Sequence, residues 1–298
     1  MKSLPPLLRA LRPTQWTKNG LLFAGALFAH GLTDPGIALR AVLGFVCFCL
    51  LSGGVYLAND LRDLESDRLH PVKRHRPLAS GELSPGMAWT ALTVVLVGAC
   101  ALAWFLGPTF SITAVVFLLV NLLYTFKLKN VVLLDVLSIA MGFVLRAIAG
   151  VELIRPLVPD VQLSPWLLMC TFFLALFLGF GKRRQEIVVH QERANEQRAV
   201  LRQYSVELID MLDTLCAGTT LVSYAIYTIW PATVAKVGSE GLLYTVPFVA
   251  YGLFRYLWIV RVRVQGEDPS QVLLQDKPLL LNVGLWALVV VLVLYLPR

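Results

Sequence analysis

Residues 59 to 67 read Asn-Asp-Leu-Arg-Asp-Leu-Glu-Ser-Asp, and the basic residues Lys73, Arg74 and Arg76 follow within a few positions. On a helix, residues three, four and seven or eight apart share one face, so Asn59, Asp60, Asp63 and Asp67 can converge on one point. Such a cluster repels itself unless a cation neutralises it. Mg²⁺ prefers oxygen ligands, takes only a few carboxylates from a protein, and usually keeps water or substrate phosphate in its shell. The spacing therefore predicts a site for Mg²⁺ and a phosphorylated ligand, with Asp60, Asp63 and Asp67 as catalytic residues and the ion held by Asn59, Asp63 and Asp67, with or without Asp60. Lys73 and the planar fork of Arg76 suit phosphate oxygens and can stabilise a departing diphosphate. The competing reading is a solvated helix end in which Arg62 and Arg68 neutralise the aspartates, with the basic residues serving topology alone.

The elements that must position this cluster are membrane helices. The chain of 298 residues is 57% apolar and only 15% charged, with a mean hydropathy of +0.69, far beyond a soluble domain of this size. Apolar segments of spanning length are expected near 20–33, 37–58, 85–106, 110–127, 131–152, 165–181, 208–230, 242–260 and 278–296. This predicts an all-α integral membrane protein of about nine transmembrane helices. Lys and Arg gather in short cytoplasmic loops, and 21 of the 26 basic residues fall on one side of this arrangement. Those residues include Lys2, Lys18, Arg193 and Arg198, whereas Arg40, Arg155, Lys236 and Arg298 fall on the other. The N-terminus and the Asp-rich loop are thus expected to face the cytoplasm, in the inner membrane. One domain covering 1–298 is the simplest organisation, with cytoplasmic active-site loops near 59–84 and 182–207 forming one chamber. Pro and Gly at His70-Pro71, Arg76-Pro77 and Ser80-Gly81 suggest a fixed rather than free loop.

The net charge of +7 is confined to loops between spans, so membrane lipids and phosphorylated substrates explain it better than nucleic acid. No cleavable leader is evident, since residues 1–20 lack an apolar core. Cys47, Cys49, Cys100, Cys170 and Cys216 have no zinc-ligand spacing and read as small hydrophobes inside spans. Arg146 lies within an expected span, where an ionisable group is a functional candidate by default; pairing with Asp135 is the alternative. Glu207 and Asp210 suit a helix N-terminus. His30 and His190 read as incidental, and His70 and His75 as loop residues near phosphate.

The pattern Asn-Asp-x-x-Asp-x-x-x-Asp at 59–67, followed by Arg68, Lys73, Arg76-Pro77-Leu78 and Gly81, resembles the first signature of the UbiA superfamily of intramembrane prenyltransferases. That resemblance implies a nine-span, Mg²⁺-dependent fold with a polar pocket facing the cytoplasm. Further stretches resemble the branch that transfers phosphoribose to decaprenyl-type phosphates. They are Arg12-Pro13-x-Gln15-Trp16-x-Lys18-Asn19, residues 145–150 around Arg146, Gly181-Lys182-Arg183 with Glu186, Tyr204-Ser205, Arg255-Tyr256 and Leu273-Leu274-x-Asp276. The resemblance implies that Lys18, Asn19, Arg146, Lys182, Arg183 and Tyr204 join Lys73 and Arg76 in binding phosphoribosyl diphosphate and a polyprenyl phosphate. Superfamily members that use prenyl diphosphates usually carry a second Asp-rich motif between helices six and seven. Here that loop is basic, with Lys182, Arg183, Arg184, Arg193, Arg198 and Arg202 against Glu186, Glu192 and Glu196. Such a lobe suits a ligand with an additional phosphate.

Two other functions remain compatible with the sequence. A prenyltransferase joining a prenyl diphosphate to an aromatic or lipid-soluble acceptor would use the same first motif. A transporter or flippase would need charges near mid-span in several helices, where only Arg146, Asp135 and Asp213 qualify. The oligomeric state and the lipid length are not readable from the sequence.

Overall fold

The computed structural model describes residues 4–28, 31–159, 161–189, 199–263 and 269–295. Of the residues singled out above, Lys2, His30, His190, Glu192, Arg193, Glu196, Arg198 and Arg298 lie outside them. The regular elements among the described residues are all helical. Among the described residues seven helices are long and apolar enough to cross a membrane: Pro35–Arg62, Pro85–Leu106, Pro108–Phe126, Leu134–Ile154, Pro165–Val188, Gly241–Arg263 and Lys277–Leu294. An eighth long helix, Val206–Ile229, corresponds to the segment expected at 208–230. It is less apolar because it carries Asp213 and a series of Thr, Ser and Tyr residues.

The segment expected as a first span is not one helix. It runs as a 3₁₀ helix over Pro13–Leu22, an α-helix over Phe23–Phe28 and a 3₁₀ turn over Gly31–Thr33. Entry to the 3₁₀ segment is set by Arg12, whose φ of 53° lies in the left-handed region, and by Pro13, which fixes the next φ and removes a donor.

By internal contacts the chain forms two compact units, residues 1–125 with 145–161 and residues 126–144 with 162–298. The first is organised on Pro35–Arg62. Asp34 caps this helix, its Oδ1 accepting from the Gly36 and Ile37 amides at 2.7 and 3.0 Å, and Pro35 sits where its missing N–H does no harm. Phe48, wholly buried, packs on Phe117 and Phe110 at centroid distances of 4.9 and 5.8 Å. Arg40, a basic residue on the side expected to be external, donates to the carbonyl oxygens of Leu153 and Leu106 near the C-terminal ends of two helices. Those carbonyls lack partners within their own helices, and the cation suits the negative end of each dipole.

Glycine allows the irregular segment to lie directly against Leu134–Ile154. A Cβ on Gly150 would stand 2.4 Å from the Leu22 carbonyl oxygen, and one on Gly25 would stand 2.4 Å from that of Gly150. Arg146 lies one turn before Gly150, so the same approach brings Asn19 within reach of it.

The second unit packs Pro165–Val189 along Val206–Ile229. Its core includes Phe177, Phe180, Ile209, Leu253 and Tyr256, with Phe177 and Tyr256 edge to face at 5.2 Å. Ser205 starts the Val206–Ile229 helix by accepting from the Leu208 amide at 3.1 Å.

Substituting Gly150→Ala forces backbone apart at the Leu22 contact. Overpacking of this kind costs about 1–3 kcal/mol, so the variant should show a clearly lower apparent unfolding temperature in detergent than wild type. Gly98→Ala, which meets nothing within 4 Å, should not.

Candidate active site

The acidic cluster lies at the end of the Pro35–Arg62 helix. Assigned helix stops there and resumes at Leu64–Leu69, but the backbone ladder continues. The Asp63 amide donates to the Asn59 carbonyl at 2.9 Å, and the Asp67 amide to that of Asp63 at 2.8 Å. The four-residue spacing read from the sequence therefore survives the junction.

The side chains do not form a bare carboxylate cluster. Asp60 and Asp67, only 3% and 4% exposed in their side chains, converge on one nitrogen of Arg76, at 3.1 and 2.6 Å. Arg12 approaches the same Asp60 oxygen, Oδ1, at 2.5 Å. Two buried negative charges are thus matched by two guanidinium groups. Asp63 remains one-third exposed and is 3.9 Å from Arg62, and the Asn59 Oδ1 is buried with no hydrogen-bond partner. The competing reading, neutralisation by Arg62 and Arg68, holds only at Asp63: Arg62 stands 3.9 Å from it and also donates to the Thr125 carbonyl, while Arg68 pairs with Glu65 at 2.9 Å.

Among the described residues no group of three or more His, Cys, Asp or Glu side chains is gathered for a metal. The donors still fit Mg²⁺ in kind. They are all oxygens, one is an orphaned amide oxygen, and this ion commonly binds through one or two carboxylates with water and phosphate completing its shell.

The following loop is fixed, as its Pro and Gly content suggested. His70 Nδ1 accepts from the amides of Val72 and Lys73 at 3.1 and 3.2 Å. Loss of hydration, and secondarily Lys73, lower the His70 pKa, which favours the neutral ring that can accept these bonds. Pro77 and Leu83 close the loop through an amide-to-carbonyl bond of 2.8 Å, and Gly81 takes a φ of 84°.

Elsewhere in the first unit, Arg146 is buried. Its Nε donates to Asn19 Oδ1 at 2.7 Å, and its guanidinium lies 4.6 Å from the Phe117 ring centroid. Asn19 is itself wholly buried and donates to Cys49 Sγ at 3.3 Å. Asn19 is therefore placed to hold Arg146. Lys18, its neighbour, is partly exposed.

In the second unit Asp135 gathers two of the expected substrate-binding residues. Its carboxylate pairs with Arg183 at 2.7 Å and accepts from the Tyr204 hydroxyl at 2.7 Å. Arg183 also pairs with Glu186, and Tyr204 accepts from the Leu133 amide. Burial first, then the bond to Asp135, raise the Tyr204 pKa. Lys182, adjacent in sequence, is partly exposed. Asp210 pairs with Arg184 at 2.8 Å and Arg261 at 3.4 Å, while Asp213 is wholly buried with neither carboxylate oxygen hydrogen-bonded. Arg255 grips Asp276 through two nitrogens at 3.1 and 2.9 Å. Arg12 is the residue that reading the sequence for site chemistry missed. Its only signal there was its place in the Arg12 to Asn19 pattern.

These features define a multi-pass helical membrane protein with an acidic and basic cluster at one end of a spanning helix. The sequence profile of the UbiA prenyltransferase family matches residues 20–275. The chain belongs to this family and is a transferase. It is 31% identical over 283 residues to the decaprenyl-phosphate phosphoribosyltransferase of Mycolicibacterium smegmatis, covering 92% of this chain and 87% of that protein. The Corynebacterium glutamicum protein of the same name is 32% identical over 298 residues, covering 97% and 87%. A UbiA homologue from Archaeoglobus fulgidus, solved bound to GPP and Mg²⁺, has the same fold. Its TM-score is 0.72 at 21% sequence identity, with 97% of this chain and 99% of that one covered.

Two substitutions test the second unit. Tyr204→Phe removes a hydrogen bond to a buried carboxylate, a loss of about 1.5–3 kcal/mol, and should lower the apparent unfolding temperature. The hydrogen bond from Arg255 holds the Asp276 pKa below its usual value, so this contribution to stability is present at neutral pH and fades as pH falls through the folded-state pKa. Asp276→Asn should therefore be less stable than wild type near neutrality, with the gap closing as pH is taken below about 4, as followed by unfolding temperature against pH.

Proposed function

We propose that this enzyme transfers 5-phosphoribose from phosphoribosyl diphosphate to a decaprenyl-type polyprenyl phosphate, releasing diphosphate, at the cytoplasmic face of the inner membrane. The observation that carries the reading is the convergence of Asp60 and Asp67 on Arg76, beside the orphaned oxygen of Asn59 at the end of a spanning helix. Two relatives with this activity in their names, alike over more than nine-tenths of the chain, favour phosphoribose as the transferred group. We also read residues 1–298 as a single domain of nine spans with its N-terminus in the cytoplasm. The irregular segment 13–33 and the Val206–Ile229 helix would complete the seven apolar spans, and the distribution of Lys and Arg supports the orientation.

Asn59, Asp63 and Asp67 would hold Mg²⁺, which when bound supplies positive charge to the diphosphate oxygens. Lys73 and Arg76 take up negative charge as diphosphate leaves, the planar fork of Arg76 binding two oxygens together. Lys18 contacts phosphate oxygens, and Arg146, held by Asn19, offers a guanidinium to the lipid phosphate. Arg183 and Tyr204 are held on the buried Asp135 of the second unit. The bond from C1 of ribose to diphosphate stretches with oxocarbenium character at C1, and an oxygen of the lipid phosphate forms the new bond. That oxygen is already anionic at neutral pH, so no strong general base is needed; positioning and electrostatics supply the acceleration.

Incubating purified protein with Mg²⁺, labelled phosphoribosyl diphosphate and polyprenyl phosphate should yield labelled lipid, and chelating the divalent ion should stop the reaction. Asp63→Ala should abolish turnover while leaving the unfolding temperature near that of wild type. Product formed from a prenyl diphosphate and an aromatic acceptor, with no labelled lipid from phosphoribosyl diphosphate, would select the prenyltransferase reading instead.

A further inference from the structure

Asp60 belongs to the Asn-Asp-x-x-Asp pattern, yet its surroundings differ from those of Asp63. Its side chain is 3% exposed, and one oxygen, Oδ1, accepts from both Arg12 and Arg76. Asp63 is one-third exposed, with Arg62 at 3.9 Å. A cation entering at Asp60 would sit beside two guanidiniums that already share Oδ1 and would repel it at short range.

Arg12 is placed with evident specificity. Its backbone holds a left-handed φ of 53°, a conformation that is strained for a non-glycine residue and persists only where its surroundings enforce it. That conformation accompanies two contacts on one helix face. Tyr56 and Asp60 are four residues apart on the Pro35–Arg62 helix. The Tyr56 ring centroid lies 4.6 Å from the Arg12 guanidinium carbon, and Asp60 binds its Nη2. The order of contacts is Tyr56, Arg12, Asp60, Arg76, Asp67. Arg76 is 29% exposed and retains donor groups beyond the one shared by the two aspartates.

We propose that Arg12 and Asp60 are a positioning pair that fixes Arg76 for diphosphate, and that Asp60 is not a ligand of the divalent ion. This rests on the diphosphate reading given above. Asp60 supplies the negative charge that orients Arg76, and Arg12 fixes Asp60 and keeps the set of four charges neutral. Asp67, paired with one guanidinium where Asp60 is paired with two, stays with Asn59 and Asp63 as the metal ligands proposed above.

The test separates ion binding from diphosphate binding in the purified full-length protein. Mn²⁺ serves as a spin-visible stand-in for Mg²⁺, measured by electron paramagnetic resonance, and inorganic diphosphate with Mg²⁺ is titrated by calorimetry. Asp60→Asn and Arg12→Gln should keep Mn²⁺ affinity within about twofold of wild type and bind diphosphate about tenfold more weakly, the scale of one charge-assisted contact. Asp63→Asn should lose Mn²⁺ binding. Because the pair acts as one unit, the double variant should bind diphosphate about as weakly as the weaker single variant, where independent effects would multiply to about a hundredfold. Arg12→Lys, which keeps the charge but not the fork, replaces Arg12→Gln should the latter not fold, and should also weaken diphosphate binding.

Loss of Mn²⁺ binding in Asp60→Asn equal to that in Asp63→Asn would overturn the proposal, as would wild-type diphosphate affinity in either Asp60→Asn or the folded Arg12 variant. Wild-type protein that binds no diphosphate would instead overturn the reading of the site on which the proposal rests.

Discussion

Two buried aspartates sharing one arginine nitrogen are the constraint around which the candidate site is arranged. Carboxylates as sequestered as Asp60 and Asp67 are tolerable only when paired and hydrogen-bonded, and Arg76 meets that need for both. The requirement propagates along the chain. Arg76 must be delivered by the loop after residue 69, whose turn is built on the amides received by His70. Arg12 must be delivered by the N-terminal segment, which bends through a left-handed residue to arrive. The identity of this corner is therefore electrostatic before it is catalytic.

The same segment links the charged end of the first unit to its interior. Arg12 stands at Asp60, and seven residues later Asn19 stands at Arg146. Close backbone packing at Gly25 and Gly150 permits the second contact, since a side chain at either glycine would hold the two strands of chain apart. Packing and function thus depend on the same few positions, and the Arg146 guanidinium inside the membrane domain is stabilised by a neutral acceptor, the Asn19 oxygen, and an aromatic face rather than by an opposite charge.

Much of this was legible in the sequence where the information is local. Apolar runs located the spanning helices, and the four-residue spacing of Asn59, Asp63 and Asp67 survived because the backbone ladder continues across Asp63. Information held in distant pairs was not legible in the same way. Nothing near Arg12 announces a partner 48 residues away, and the positive charges of Arg62 and Arg68 are closer in sequence to the aspartates than Arg76 is. Asp135, considered as a partner for Arg146, instead receives Arg183 and Tyr204, a choice made by tertiary packing. Hydropathy likewise counts apolar residues without registering how they wind, so residues 20–33 look like a regular span although the first three of them end a more tightly wound 3₁₀ helix.

That tighter winding makes the N-terminal thread sensitive to its own length. At about three residues per turn and about 2 Å of rise, Trp16, Asn19 and Leu22 stack along one edge, the last two wholly buried. Inserting or deleting a single residue would rotate everything beyond it by about a third of a circle and carry Asn19 off the buried edge, while conserving composition and hydrophobicity. In this stretch, register is a harder requirement than residue type.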